Sequence, residues 1–130
     1  MKTTAFELNG QTWHLCLNGS ALFDLYDRNG TEGSILDPIW GNDKASFDAT
    51  CHMLALLAQQ GELVRRYQGL DKGPLATEQQ FRATLMPLDV IRARRALEQA
   101  VLRGFGREHK PEEERIDLGL LEIEKKTEPG

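Results

Sequence analysis

Phe6 and Leu8 alternate with Ala5 and Glu7, and Trp13, Leu15 and Leu17 alternate with Thr12, His14 and Cys16. A period of two marks a half-buried strand, so two strands are predicted on either side of Asn9-Gly10. That dipeptide favours a type I′ turn, which needs positive φ at both central positions. With those two residues in the turn, Leu8 faces Gln11 and Phe6 faces Trp13 across the ladder. Phe6, Leu8, Trp13, Leu15 and Leu17 then share one apolar face. A lone hairpin is marginal in water, so that face must rest on something else.

Beyond residue 17 the apolar spacing becomes helical. Ser20 is the predicted N-cap of a short helix ending near Arg28, with Leu22, Phe23, Leu25 and Tyr26 as its apolar side and Asn29-Gly30 as its stop. Residues 31–44 read as an ordered loop with one short helical turn, anchored by Ile35, Leu36, Ile39 and Trp40. A long helix follows from Ser46, its cap, to Gln60, with Phe47, Cys51, Leu54, Leu57 and Ala58 three and four apart. Leu63, Val64 and Tyr67 keep a phase that can carry it through Gly61 to Tyr67, before Gly69 to Pro74 breaks it. Thr77-Glu78-Gln79-Gln80 matches a capping box, and the helix it opens must end before Pro87. Pro87 or Asp89 starts the most amphipathic helix. Its stripe is Val90, Ala93, Leu97, Ala100, Val101 and Gly104, opposite Arg92, Arg95, Glu98, Gln99 and Arg103. The predicted fold class is therefore α+β and mostly α-helical. An N-terminal β-hairpin packs on a bundle of about four helices in one domain, residues 1–106.

Residues 107–130 differ. They hold five basic side chains against eight acidic ones, yet Ile116, Leu118, Leu120, Leu121 and Ile123 stand among the charges. This is a charged, mobile C-terminal tail by composition, with enough apolar surface to order on the domain or on a partner.

Composition narrows the classes. The 130 residues carry a formal charge of −4, with 40% hydrophobic and 28% charged side chains, as in soluble globular domains. The longest apolar run, Met53 to Ala58, is far short of a membrane span, and the N-terminus lacks the pattern of a signal peptide. Two cysteines without an export signal read as reduced thiols in a cytosol.

Candidate chemistry is sparse. His14, Cys16, Cys51 and His52 contain zinc-ligand types, but neighbouring helical positions diverge by about 100° and cannot both face one ion. No metal, cofactor or catalytic set is assigned, and Asp24 and Asp27 read as a solvated helix face. Arg92, Arg94, Arg95 and Arg103, with Arg82 on the preceding helix, form a basic strip. Glu98 is placed to pair with Arg94, and the acidic sum of the chain disfavours nucleic acid. Arg92, Arg95 and Arg103 are therefore taken as a partner-facing strip. Trp40 is either an exposed anchor for a partner or a lid that closes, with Ile39, over the helical core. The apolar residues Ile116, Leu118, Leu120, Leu121 and Ile123 complete the candidate partner-binding set.

One resemblance follows from the order of elements. The hairpin Phe6-Glu-Leu-Asn-Gly-Gln-Thr-Trp13 leads to the short helix Ala21-Leu-Phe-Asp-Leu-Tyr-Asp27. A longer helix, the capped segment Thr77-Glu-Gln-Gln-Phe81, a final amphipathic helix and a charged tail follow. Over residues 1–106 this resembles the small tail assembly chaperones of long-tailed bacteriophages and prophages. The resemblance implies a non-enzymatic protein of the bacterial host cytoplasm that coats the tape-measure protein and assists assembly of the tail-tube protein. It also implies self-association and, at Lys125-Lys126, a site where frameshifting yields a longer form. Two other readings are a small DNA-binding regulator using the Arg-rich helix and a structural component of the virion tail.

Overall fold

The computed structural model describes residues 2–106. Strands Thr4–Leu8 (β1) and Gln11–Leu15 (β2) pair antiparallel, with Leu8 opposite Gln11 and Phe6 opposite Trp13. Asn9 and Gly10 take φ of 53° and 82°, the two positive values the turn requires. The hairpin is followed by helix α1 (Gly19–Asn29), a 3₁₀ turn (Asp37–Ile39), and helices α2 (Lys44–Tyr67), α3 (Glu78–Thr84) and α4 (Pro87–Gly104). The fold is the α+β arrangement expected: a two-stranded hairpin on four helices.

Helix α2 is the axis of the molecule, touching β2, α3, the 3₁₀ turn, α4 and α1. Because neighbours surround it, Thr50, Cys51, Met53, Leu54, Ala55, Leu57 and Ala58 are all buried within one short stretch. A helix packed on one side only would bury every third or fourth residue. The buried Thr50 hydroxyl is satisfied by donating to the Ser46 carbonyl at 2.8 Å.

The caps correct two assignments. Asn18, not Ser20, caps α1 by accepting from the Ala21 amide, and Asp43, not Ser46, caps α2 by accepting from the Ser46 amide. Ser46 lies three residues inside and is buried, its hydroxyl donating to the Asp43 carbonyl. In both cases an amide or carboxylate side chain upstream reaches the free N–H groups first. The Thr77–Gln80 capping box of α3 forms as read, with both reciprocal bonds present. Helix α4 begins with Pro87 in its first turn, and Asp89 accepts from the Met86 amide.

The last two turns of α2 depart from the predicted phase. The helix reaches Tyr67, but Leu63 and Tyr67 are exposed while Gly61 and Glu62 are buried. In α1, Phe23 likewise faces outward, edge-on to Tyr26 at 5.8 Å, and Ala21 takes the core position with Leu25.

Both edges of the hairpin are covered. The two-residue turn makes Leu8–Gln11 a hydrogen-bonded pair, so the carbonyls of Glu7 and Thr3 point away from β2. Arg92 and Arg103 of α4 donate to them. On the other edge the Cys16 amide donates to the Leu57 carbonyl of α2 at 3.0 Å. Unpaired strand edges template aggregation, and here side chains and a helix occupy them.

Candidate partner-binding surface

The position of each candidate side chain follows from this packing. Of the basic strip, Arg92 is held over the Phe6 ring at 5.3 Å, paired with Asp89 at 2.9 Å and bonded to the Glu7 carbonyl. Arg103 donates to the Thr3 carbonyl at 2.7 Å. Both therefore flank α4 on its β1 side and tie the helix to the hairpin. Arg94 donates to the Gly41 carbonyl at 2.7 Å rather than pairing with Glu98. Arg82 joins Asp48 and Glu78 in a clasp between α2 and α3, which holds its guanidinium further above its already high proton affinity. Hydrogen bonds from Arg82 outweigh desolvation at Asp48. At Glu78 burial works the other way, but Arg82 and His52 overcome it, and both carboxyls sit below the usual range. Arg95 alone of these projects from the exposed face of α4 without an ion pair among the described residues.

Trp40 and Ile39 part company. Ile39 is fully buried and plugs the core, while Trp40 is 46% exposed. The Trp40 amide bonds to the Asp37 carbonyl and the next carbonyl, Gly41, is gripped by Arg94. The indole is thus presented from a backbone pinned on both sides, which lowers the ordering cost of using it as an anchor.

A second apolar surface went unread in the sequence. Leu88, Ile91 and Leu102 along α4, with Phe105 capping its C-terminus, are all exposed, Leu88 to 75%. The signal was there, at spacings compatible with one helix face, but the stronger stripe of Ala93, Leu97 and Val101 claimed the amphipathic pattern. Ile116, Leu118, Leu120, Leu121 and Ile123 lie outside the described residues.

A recess of about 360 Å³ lies between β2, α2 and the segment after it, lined by Trp13, His14, Glu62, Arg65, Lys72 and Gly73 among others. Its central acid, Glu62, is 4% exposed and fully engaged. It accepts from Arg65 at 2.9 Å, Arg66 at 3.0 Å and the Gly73 amide. Burial alone would raise this carboxyl, but the Gly73 amide and the two guanidiniums outweigh it and hold it below the usual glutamate range. Arg65 and Arg66 also donate to the carbonyls of Asp71 and Gly73. The network fastens residues 71–73 to α2, and its groups serve that clasp.

His14 in the same recess is shifted down, first by burial and then by Arg65. Cys16 and Cys51 are buried, and burial raises both thiols, Cys51 to about 11. His52 faces Glu78 at 3.4 Å, and among the described residues no three acidic, histidine or cysteine side chains gather around a metal-sized site. Asp24 and Asp27 are exposed on α1. No described helix is long and apolar enough to cross a membrane.

No known family, curated protein or solved structure matches this chain.

Proposed function

We propose that this protein is a tail assembly chaperone of the long-tailed phage and prophage type, binding the tape-measure protein and assisting tail-tube assembly through protein contacts. The observation that carries the reading is the order of elements. A hairpin, a short helix, a long central helix, a capped short helix and a final amphipathic helix succeed one another, the order on which the resemblance to that family rests. The surface suits such a role. Trp40 offers a pinned aromatic anchor. The DNA-binding alternative loses ground because Arg82, Arg92, Arg94 and Arg103 already donate to carbonyls or carboxylates of their own chain. Phosphate contacts would have to break those bonds.

Co-expression with a long, helical tape-measure protein encoded beside it, followed by pull-down and light scattering, tests the reading. A soluble complex with several copies of this protein per client is expected. Trp40→Ala should weaken the complex about ten-fold or more while leaving the denaturation midpoint unchanged. A client that stays insoluble and unbound in the presence of the wild-type chain would overturn it.

A further inference from the structure

The solvent face of α4 has an order that its core face does not require. Leu88, Ile91, Arg95, Glu98, Leu102 and Phe105 follow one another at spacings of three, four, three, four and three. That is the repeat of a helix-pairing seam, and all six residues are exposed. The series also reads symmetrically about the midpoint between Ala96 and Leu97. Two such helices laid antiparallel across a twofold axis bring Leu88 onto Phe105, Ile91 onto Leu102 and Arg95 onto Glu98, each twice.

We propose that this face is the contact surface of a twofold dimer, occupied by α4 of a second copy of the chain running antiparallel. Charge complementarity selects the occupant and its direction. A parallel partner would set Arg95 on Arg95 and Glu98 on Glu98, and like charges in register repel. The antiparallel partner instead gives two equivalent Arg–Glu pairs at the centre, flanked by four apolar pairs. Within one chain Arg95 and Glu98 stand three apart on α4, yet neither forms an ion pair among the described residues. The neighbouring charges are committed elsewhere: Arg92 to Asp89 and β1, Arg94 to Gly41. The contact is isologous, so it closes at two copies. It rests on α4 alone and stands apart from the chaperone reading.

Sedimentation of the full 130-residue chain across a dilution series tests it. A reversible monomer–dimer equilibrium is expected. Arg95→Glu and Glu98→Arg should each raise the dissociation constant about ten-fold or more, and the double reversal should bring it back toward wild type. All these positions are on the surface, and the rescue separates lost contact from lost fold. Direction is read by oxidative cross-linking. An equal mixture of Ile91→Cys and Leu102→Cys chains should form a mixed disulfide, whereas Ile91→Cys alone should not, its two copies lying roughly 16 Å apart along the axis. A chain that stays monomeric at every concentration overturns the proposal, and a dimer appearing only after removal of residues 107–130 would assign the face to that segment instead. Failure of the double reversal to rescue also overturns it.

Discussion

A β-carbon on Gly61 would stand 1.7 Å from the His14 carbonyl oxygen and 2.6 Å from its carbon. Gly61 is helical and its φ is unexceptional, so the requirement is space for β2 to cross α2, not backbone freedom. That closeness also lets the Cys16 amide reach the Leu57 carbonyl. Gly61→Ala must push the hairpin off the central helix, and about 3 kcal/mol of lost stability is expected by urea denaturation. Gly19→Ala, where the added carbon meets nothing within 4 Å, should stay within about 0.5 kcal/mol. Equal midpoints for the two variants would refute this account of the crossing. Gly61 was legible in the sequence only as a residue the helix could run through. Its use depends on His14, 47 positions away (61 minus 14), and no local pattern encodes that.

At the level of elements, the link between α2 and α3 is held by charge. Glu62 clasps residues 71–73, and the Asp48–Arg82–Glu78 set joins the two helices. Glu62, Glu78 and Asp48 all titrate below their ordinary values of 4.5, 4.5 and 3.8. The unfolded chain therefore binds protons first, and the stability these groups supply is present above those values and lost as pH falls through the folded ones. His14 acts in the same direction at higher pH. Its folded value lies below 6.5, so its contribution is present above 6.5 and lost as the pH drops beneath it. Urea midpoints measured against pH should therefore fall in two steps, one in the histidine range and one in the carboxylate range. His14→Gln should erase the upper step and keep the lower. A wild-type midpoint flat through the histidine range would sink the assignment. The elements themselves were well marked in the sequence, because turn dipeptides, capping boxes and prolines act within four residues. The true caps, Asn18 and Asp43, lay two and three residues upstream of the serines Ser20 and Ser46.

For the whole molecule, the core shields both thiols. Cys16 and Cys51 are 3% and 0% exposed, and burial raises both, so thiolate is scarce at neutral pH. A thiol reagent followed by mass spectrometry should leave the native protein unlabelled and modify both cysteines on unfolding. Fast labelling of either in the native state would show that the core opens locally. Of the candidate surface, the sequence marked Trp40 and the arginines but could not sort them. Trp40 turned outward because Ile39 fills the core, and Arg92 and Arg103 turned inward because β1 leaves two carbonyls unpaired beside α4. What the sequence by itself determined was the hairpin with its register, the number of helices and the stripe by which α4 meets the core. Those depend on periods of two and of three to four and on turn chemistry, all local. Only the tertiary structure decided which charges are spent internally, where a glycine must stand and which apolar residues remain outside. Each of those outcomes is set by contacts between segments tens of residues apart, where surface left over by one element is what the next must satisfy.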